Sequence, residues 1–233
     1  MVDAAVMQGR LRAAGALVLN AFVWGLSWWP FRALQAQGLH PLWATAGVYL
    51  FALAALLLLR PSTLRQCLGH PSLLVLAAAA GLTNVGFNWA VTVGDVVRVV
   101  LLFYLMPAWS ILLAWPVLGE RPTGAALARL LLALGGVVVV LHDGSTPWPV
   151  PHSVADWLGL GAGFCFAVTN LLLLRLEQVP ASARILAMFV GGMLMAGAAA
   201  SVGVARGGIA PPVLALAALP MACALGLAFL VGN

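Results

Sequence analysis

Eight long apolar runs, separated by short polar breaks, constrain this chain more than any other feature of its sequence. Each run is long enough to cross a hydrocarbon layer, which takes about 20 helical residues. With 64% hydrophobic and 7% charged residues, a chain of 233 residues lacks the polar surface that a water-soluble fold needs. The solvent is therefore lipid, where backbone N–H and C=O groups must be satisfied inside each segment and helices are the natural result. The expected fold class is an all-α integral membrane protein, a polytopic helical bundle of about eight transmembrane helices. They are expected over residues 14–36, 42–59, 73–93, 96–118, 124–141, 156–175, 183–204 and 213–232.

The breaks combine Gly or Pro with polar residues, as at Gly38 to Pro41, Arg60 to Pro71, Gly119 to Pro122 and Pro211-Pro212. The longest, His142 to Ala155, carries Pro147, Pro149 and Pro151, and none is large enough for a catalytic domain. The first run is too long for the apolar stretch of a typical cleavable signal, and seven more follow it.

All 11 basic residues are arginine. Without lysine there is no phosphate-binding lysine of a P-loop and no Schiff base, so the chain is not expected to use ATP by itself. The net charge of +5 is spread one or two arginines at a time between apolar runs, with no basic stripe for nucleic acid. It reads as membrane orientation. With the N-terminus inside, Arg10, Arg12, Arg60, Arg65, Arg121, Arg129, Arg175 and Arg184 are cytoplasmic, and only Arg32, Arg98 and Arg206 lie outside. Lysine-free, alanine- and arginine-rich usage fits a GC-rich bacterium, so the expected location is the inner membrane, multi-pass, N-terminus cytoplasmic. Cys67, Cys165 and Cys223 cannot form a closed disulfide set. No Cys or His spacing resembles a metal site, and neither metal nor cofactor is expected.

A weak internal repeat runs through the chain. Ser27 is followed five residues later by Arg32, and Asn170 five residues later by Arg175. Gly81-Leu82 precedes Asn88 by the spacing at which Gly226-Leu227 precedes Asn233. An odd number of spans separates the copies, so they are inverted in the membrane, the common construction of secondary transporters.

From Asn88 the sequence reads N-W-A-V-T-V-G-D-V-V-R-V-V-L-L-F-Y-L-M-P-A-W-S-I-L-L-A-W-P-V-L-G-E-R-P. With Pro107 in mid-helix, Leu118-Gly119-Glu120-Arg121 at a helix exit, and Trp24-Gly25 followed by Arg32, it resembles an EamA-type transporter of the drug/metabolite transporter superfamily. That resemblance implies ten helices in two inverted five-helix repeats. Here it implies a first repeat over residues 1–142, an outer loop over 143–155 and a partial second repeat of three helices over 156–233. On this pattern two further helices would follow Asn233, and residues 1–233 alone would not transport. The expected function is secondary transport or export of a small organic metabolite by alternating access. The alternative is a non-transporting fragment or an assembly subunit of a membrane complex. An intramembrane enzyme would need a nucleophile–base pair or metal cluster at membrane depth, and the sequence offers neither. The expected partners are membrane lipid and a small-molecule substrate, with no nucleic acid; a homodimer is left open.

Polar side chains at membrane depth mark the candidate cavity, because an unpaired amide or hydroxyl in lipid is costly. Asn84 and Asn88 share one face of the third helix. Asn20, Trp24 and Trp28 recur at every fourth residue of the first. Tyr104 lies beside Pro107, which frees a backbone carbonyl and is the expected hinge. Trp24, Trp28, Asn84, Asn88, Tyr104 and Asn170 are the expected substrate-binding residues, acting without covalent chemistry. Asp95 with Arg98 outside and Glu120 with Arg121 inside are the expected gate or loop ion pairs. Gly159 with Gly163, and the run Ala77 to Ala80, are expected to pack helices closely. No carboxylate falls near a midplane, so proton coupling through a buried acid has no support in this stretch. The small multidrug exporters, which resemble half of this architecture, place such an acid in their first helix.

Overall fold

The computed structural model describes residues 4–119, 121–142, 150–212 and 219–232. Its elements are α-helices: α1 (Ala4–Leu26), α2 (Trp28–Ala36), α3 (Pro41–Leu59), α4 (Thr63–Leu68), α5 (Leu73–Val93), α6 (Val96–Phe103), α7 (Met106–Leu118), α8 (Gly124–Leu141), α9 (Val154–Arg175), α10 (Ala181–Ala205) and α11 (Leu219–Gly232). Among the described residues, five stretches are long and apolar enough to cross a membrane: α3, α5, Val96–Pro116 (which joins α6 to most of α7), α9 and α10. The apolar cores of α8 and α11 are shorter.

Two of the expected continuous helices are divided, and proline chemistry locates both divisions. A proline lacks the N–H that would bond the carbonyl four residues back, and its ring collides with that carbonyl. Pro30 does this to Leu26, where α1 ends; Pro107 does it to Phe103, where α6 ends. Ser27 fills the first gap and donates its hydroxyl to the Trp24 carbonyl at 2.9 Å. Tyr104 and Leu105 fill the second. The interruption thus precedes Pro107 by a turn, and Pro107 itself opens α7, where a missing N–H is harmless.

α5 lies at the centre, packed on α2, α3, α6, α9 and α10. Lipid tails are as apolar as leucine, so close backbone approach has to replace hydrophobic drive between helices. Glycines supply it. A Cβ on Gly191 of α10 would overlap the Ala77 carbonyl of α5, and one on Gly81 would lie 2.5 Å from the Gly191 oxygen. Gly159 and Gly163 of α9 meet α6 at Val99 and Phe103; a Cβ on Gly163 would lie 2.6 Å from the Phe103 oxygen, the carbonyl that Pro107 releases. Gly226 of α11 would similarly crowd the Val48 oxygen of α3.

Three apolar cores result: one of Leu73, Leu76, Val179, Ala183 and Ala187, and two that meet Trp24. Of these two, one gathers Phe31, Val48, Tyr49, Leu186, Phe189 and Phe229 from α2, α3, α10 and α11. The other gathers Phe87, Val91, Val99 and Ala162 from α5, α6 and α9. Trp24 packs against both, so the space between the cores lies beside α1.

Candidate functional site

That space is a cavity of about 520 Å³ walled mainly by α1, α5, α6 and α9. The lining follows helical periodicity. α1 contributes Leu17, Asn20, Ala21, Trp24, Gly25 and, across the break, Trp28; α5 contributes Ala80, Thr83, Asn84, Phe87 and Val91. α9 adds Phe166, Thr169, Asn170 and Leu173. At 1.5 Å per residue, Ala80 to Val91 corresponds to a cavity about 16 Å long. Both proline-induced breaks border it, through Trp24 to Trp28 on one side and Phe103, Tyr104 and Met106 on the other.

Five of the six candidate binding residues, Trp24, Trp28, Asn84, Tyr104 and Asn170, line this cavity. Asn88 does not. It is fully buried, with its amide nitrogen donating to Thr45 Oγ1 of α3 at 3.3 Å, and its Oδ1 has no partner among the described residues. One turn away, Asn84 accepts a 2.7 Å hydrogen bond from the Tyr49 hydroxyl. Thr45 with Tyr49 on α3 and Asn88 with Asn84 on α5 thus form two rungs of an antiparallel polar ladder. α3 closes over Asn88 and keeps it from the cavity, while Asn84 stays on its edge. Tyr49 stacks on Phe229, centroids 5.5 Å apart and planes 9° apart, and it too lines the cavity. Its α3 is apolar on every side, so periodicity does not mark it. The available signal is the mirrored spacing of polar residues, four apart on each of two successive helices.

The aromatic side of the cavity is continuous. Trp24 meets Phe87 edge-on at 6.0 Å; Phe87 lies 4.7 Å from Phe103, and Phe103 lies 5.3 Å from Phe166. Thr83 and Thr169 donate their hydroxyls to the carbonyls of Ala79 and Cys165, so their oxygens remain as acceptors. Asn170 makes no hydrogen bond to another described residue.

Arg32 lies behind Trp28, its guanidinium 5.7 Å from the ring centre. Its Nε donates to the Val91 carbonyl at 3.1 Å and its Nη2 to that of Gly94, at the C-terminal end of α5 where a cation is favoured. Trp29, its neighbour in sequence, is exposed.

The expected Asp95–Arg98 ion pair is replaced by a different one. Asp95 caps α6 by accepting the backbone N–H of Arg98 at 2.8 Å. The Arg98 side chain reaches α9, donating to Asp156 Oδ2 at 3.0 Å and to the Val150 carbonyl at 2.9 Å. Asp156 is buried and also accepts the backbone N–H of His152. A buried carboxylate needs such company, whereas Asp95 at a helix start is satisfied by backbone alone. Arg121 stands 6.0 Å from the Trp115 ring centre. Glu120 lies outside the described residues. Among the described residues no three His, Cys, Asp or Glu side chains come together to hold a metal ion.

Residues 11–142 match the model of the EamA-like transporter family. No curated protein and no solved structure matches the chain.

Proposed function

Because the chain belongs to the EamA-like transporter family, we propose that it moves a small organic solute by opening the cavity alternately to the two sides of the membrane. Members of this family are transporters rather than enzymes, and the chain is a multi-pass membrane protein of the drug/metabolite superfamily. The observation that carries the proposal is the position of the cavity between two helices interrupted by proline. Broken helices at membrane depth are tolerated where they line a cavity, and they give its walls points about which to bend.

Trp24, Trp28, Asn84, Tyr104 and Asn170 hold the solute in this reading, while Asn88 ties α5 to α3. Pro107 and Pro30 mark the hinges. The Arg98–Asp156 contact acts as an outer latch between two walls, and Arg121 anchors the inner loop. The chain crosses a bacterial inner membrane eight times, by α1–α2, α3, α5, α6–α7, α8, α9, α10 and α11, starting from the cytoplasm. Paired glycine contacts favour the inverted repeat. Gly81 sets the third crossing on the seventh, and Gly226 sets the eighth on the second, the same relation with the repeats exchanged.

The test compares export and uptake profiles of cells producing the chain with cells producing its Trp24→Ala and Tyr104→Ala variants at equal membrane levels. The expected result is a solute whose distribution changes with the chain and reverts in both variants. Profiles identical to those of cells without the chain would overturn the proposal in favour of the non-transporting alternative that the repeat pattern leads one to expect.

A further inference from the structure

The cavity's lining also restricts what it can hold. Among the described residues that line it, none is Asp, Glu, His or Arg. Arg32, whose guanidinium meets the lining residue Trp28, is committed to two carbonyls and the face of that ring. An anion would find no counter-charge in the lining. An organic cation would find aromatic faces but no carboxylate, with Arg32 behind the wall. A charge taken from water into such a space loses its hydration without a partner. The solute that fits is uncharged.

Its shape and edge chemistry follow from the aromatic and the polar groups of the lining. Trp24, Phe87, Phe103 and Phe166 form a connected aromatic wall across four helices, suited to stacking or edge-on contact with a flat ring. On the same helix faces, Asn84 has its oxygen occupied by the Tyr49 hydroxyl, which leaves its amide N–H groups as donors. Thr83 and Thr169 have their hydroxyl hydrogens occupied, which leaves acceptors. Asn170 offers both a donor and an acceptor, with no protein partner among the described residues. A ligand edge that both accepts and donates satisfies this set, and a ligand without one leaves buried polar groups unpaired.

Resting on the transport reading above, we propose that the cavity takes an uncharged, planar heteroaromatic solute whose edge presents a carbonyl next to an N–H, as in a lactam.

The probe is 2-quinolinone, binding to the full chain in lipid nanodiscs with empty nanodiscs subtracted. Three analogues of similar size are compared: the anion quinoline-2-carboxylate, the cation 1-methylquinolinium and the saturated, non-planar decahydroquinolin-2-one. 2-Quinolinone is expected to bind about tenfold or more tightly than each analogue, a difference of one decade in Kd. Asn170→Ala, which removes no hydrogen bond to another described residue, is expected to weaken it at least about threefold, and Asn84→Leu more strongly. Asn84→Leu also removes the partner of Tyr49, so Asn170→Ala keeps the test intact should that variant fail to fold. Preference for a charged or non-planar analogue that still depends on Asn170 overturns the solute class and leaves the cavity as the transport site. Binding of 2-quinolinone insensitive to Asn170→Ala and to Trp24→Ala overturns both. Absence of binding by all four overturns the proposed class, and the cell profiles then decide the transport reading separately.

Discussion

Thr45, Tyr49, Asn84 and Asn88 are ordinary residues made specific by pairing. A hydrogen bond between membrane helices contributes about 0.6 kcal/mol on average, because the separated helices also find partners. Tyr49→Phe should therefore cost little stability, about 1 kcal/mol or less, while freeing the Asn84 oxygen toward the cavity. Thermal unfolding in nanodiscs measures the first effect and solute affinity the second; a loss of several kcal/mol would mean that Tyr49 chiefly holds the bundle together. His40 shows a different residue-scale effect. Burial holds its pKa below the ordinary 6.5, and its Nδ1 accepts the Leu42 N–H as the cap of α3, which requires a neutral ring. As pH falls through about 6.5 the unfolded chain takes up a proton that the folded chain refuses, so stability declines. The decline levels off once pH is below the depressed folded value. Melting curves should show this slope, and His40→Asn, which keeps a capping oxygen, should flatten it. An unchanged slope would assign the pH effect to another group.

At the scale of elements, the informative feature is where helices stop. α1 ends four residues before Pro30 and α6 four residues before Pro107, the spacing set by the lost hydrogen bond and the ring clash. Both signals stand in the sequence. Pro107 is visible as a helix break, although the gap falls a turn earlier; Pro30, inside the first apolar run, marks a second break, while α7 runs on through Pro116. Pro107→Ala would return an N–H to the Phe103 carbonyl and let α6 run into α7. The variant should unfold about 1 kcal/mol less readily and transport several-fold more slowly. Stabilisation with undiminished flux would make the break a packing feature, since the Phe103 carbonyl already lies against Gly163.

At the scale of the whole molecule, arginine distribution decides which way the bundle faces. Eight of 11 arginines fall on one side when the N-terminus is cytoplasmic. With Cys67, Cys165 and Cys223 replaced, a single cysteine at Ser62 should react with a membrane-impermeant thiol reagent only in opened cells. One at Gly208, beyond α10, should react in intact cells. The reverse pattern would invert the topology. The Arg98–Asp156 contact belongs to this scale as well, because it joins α6 to α9 across 58 residues of sequence.

Apolar length and the proline positions determine from sequence alone that this chain is a helical membrane protein with interrupted helices. They act locally: hydropathy is summed over one segment, and proline removes one bond within its own helix. The motif around Pro107 and Leu118 to Arg121 also places the family. Which polar residues face the cavity is not local. Asn84 and Asn88 share a helix face, and only the packing of α3 seals one and leaves the other open. Asp95 and Asp156 look alike as acids at helix starts; tertiary burial gives Arg98 to Asp156 because the buried carboxylate needs it more. The cavity belongs to no single run. It exists because glycines let backbones touch at α5–α10, α6–α9 and α3–α11, leaving space where aromatic rings keep α1 at a distance.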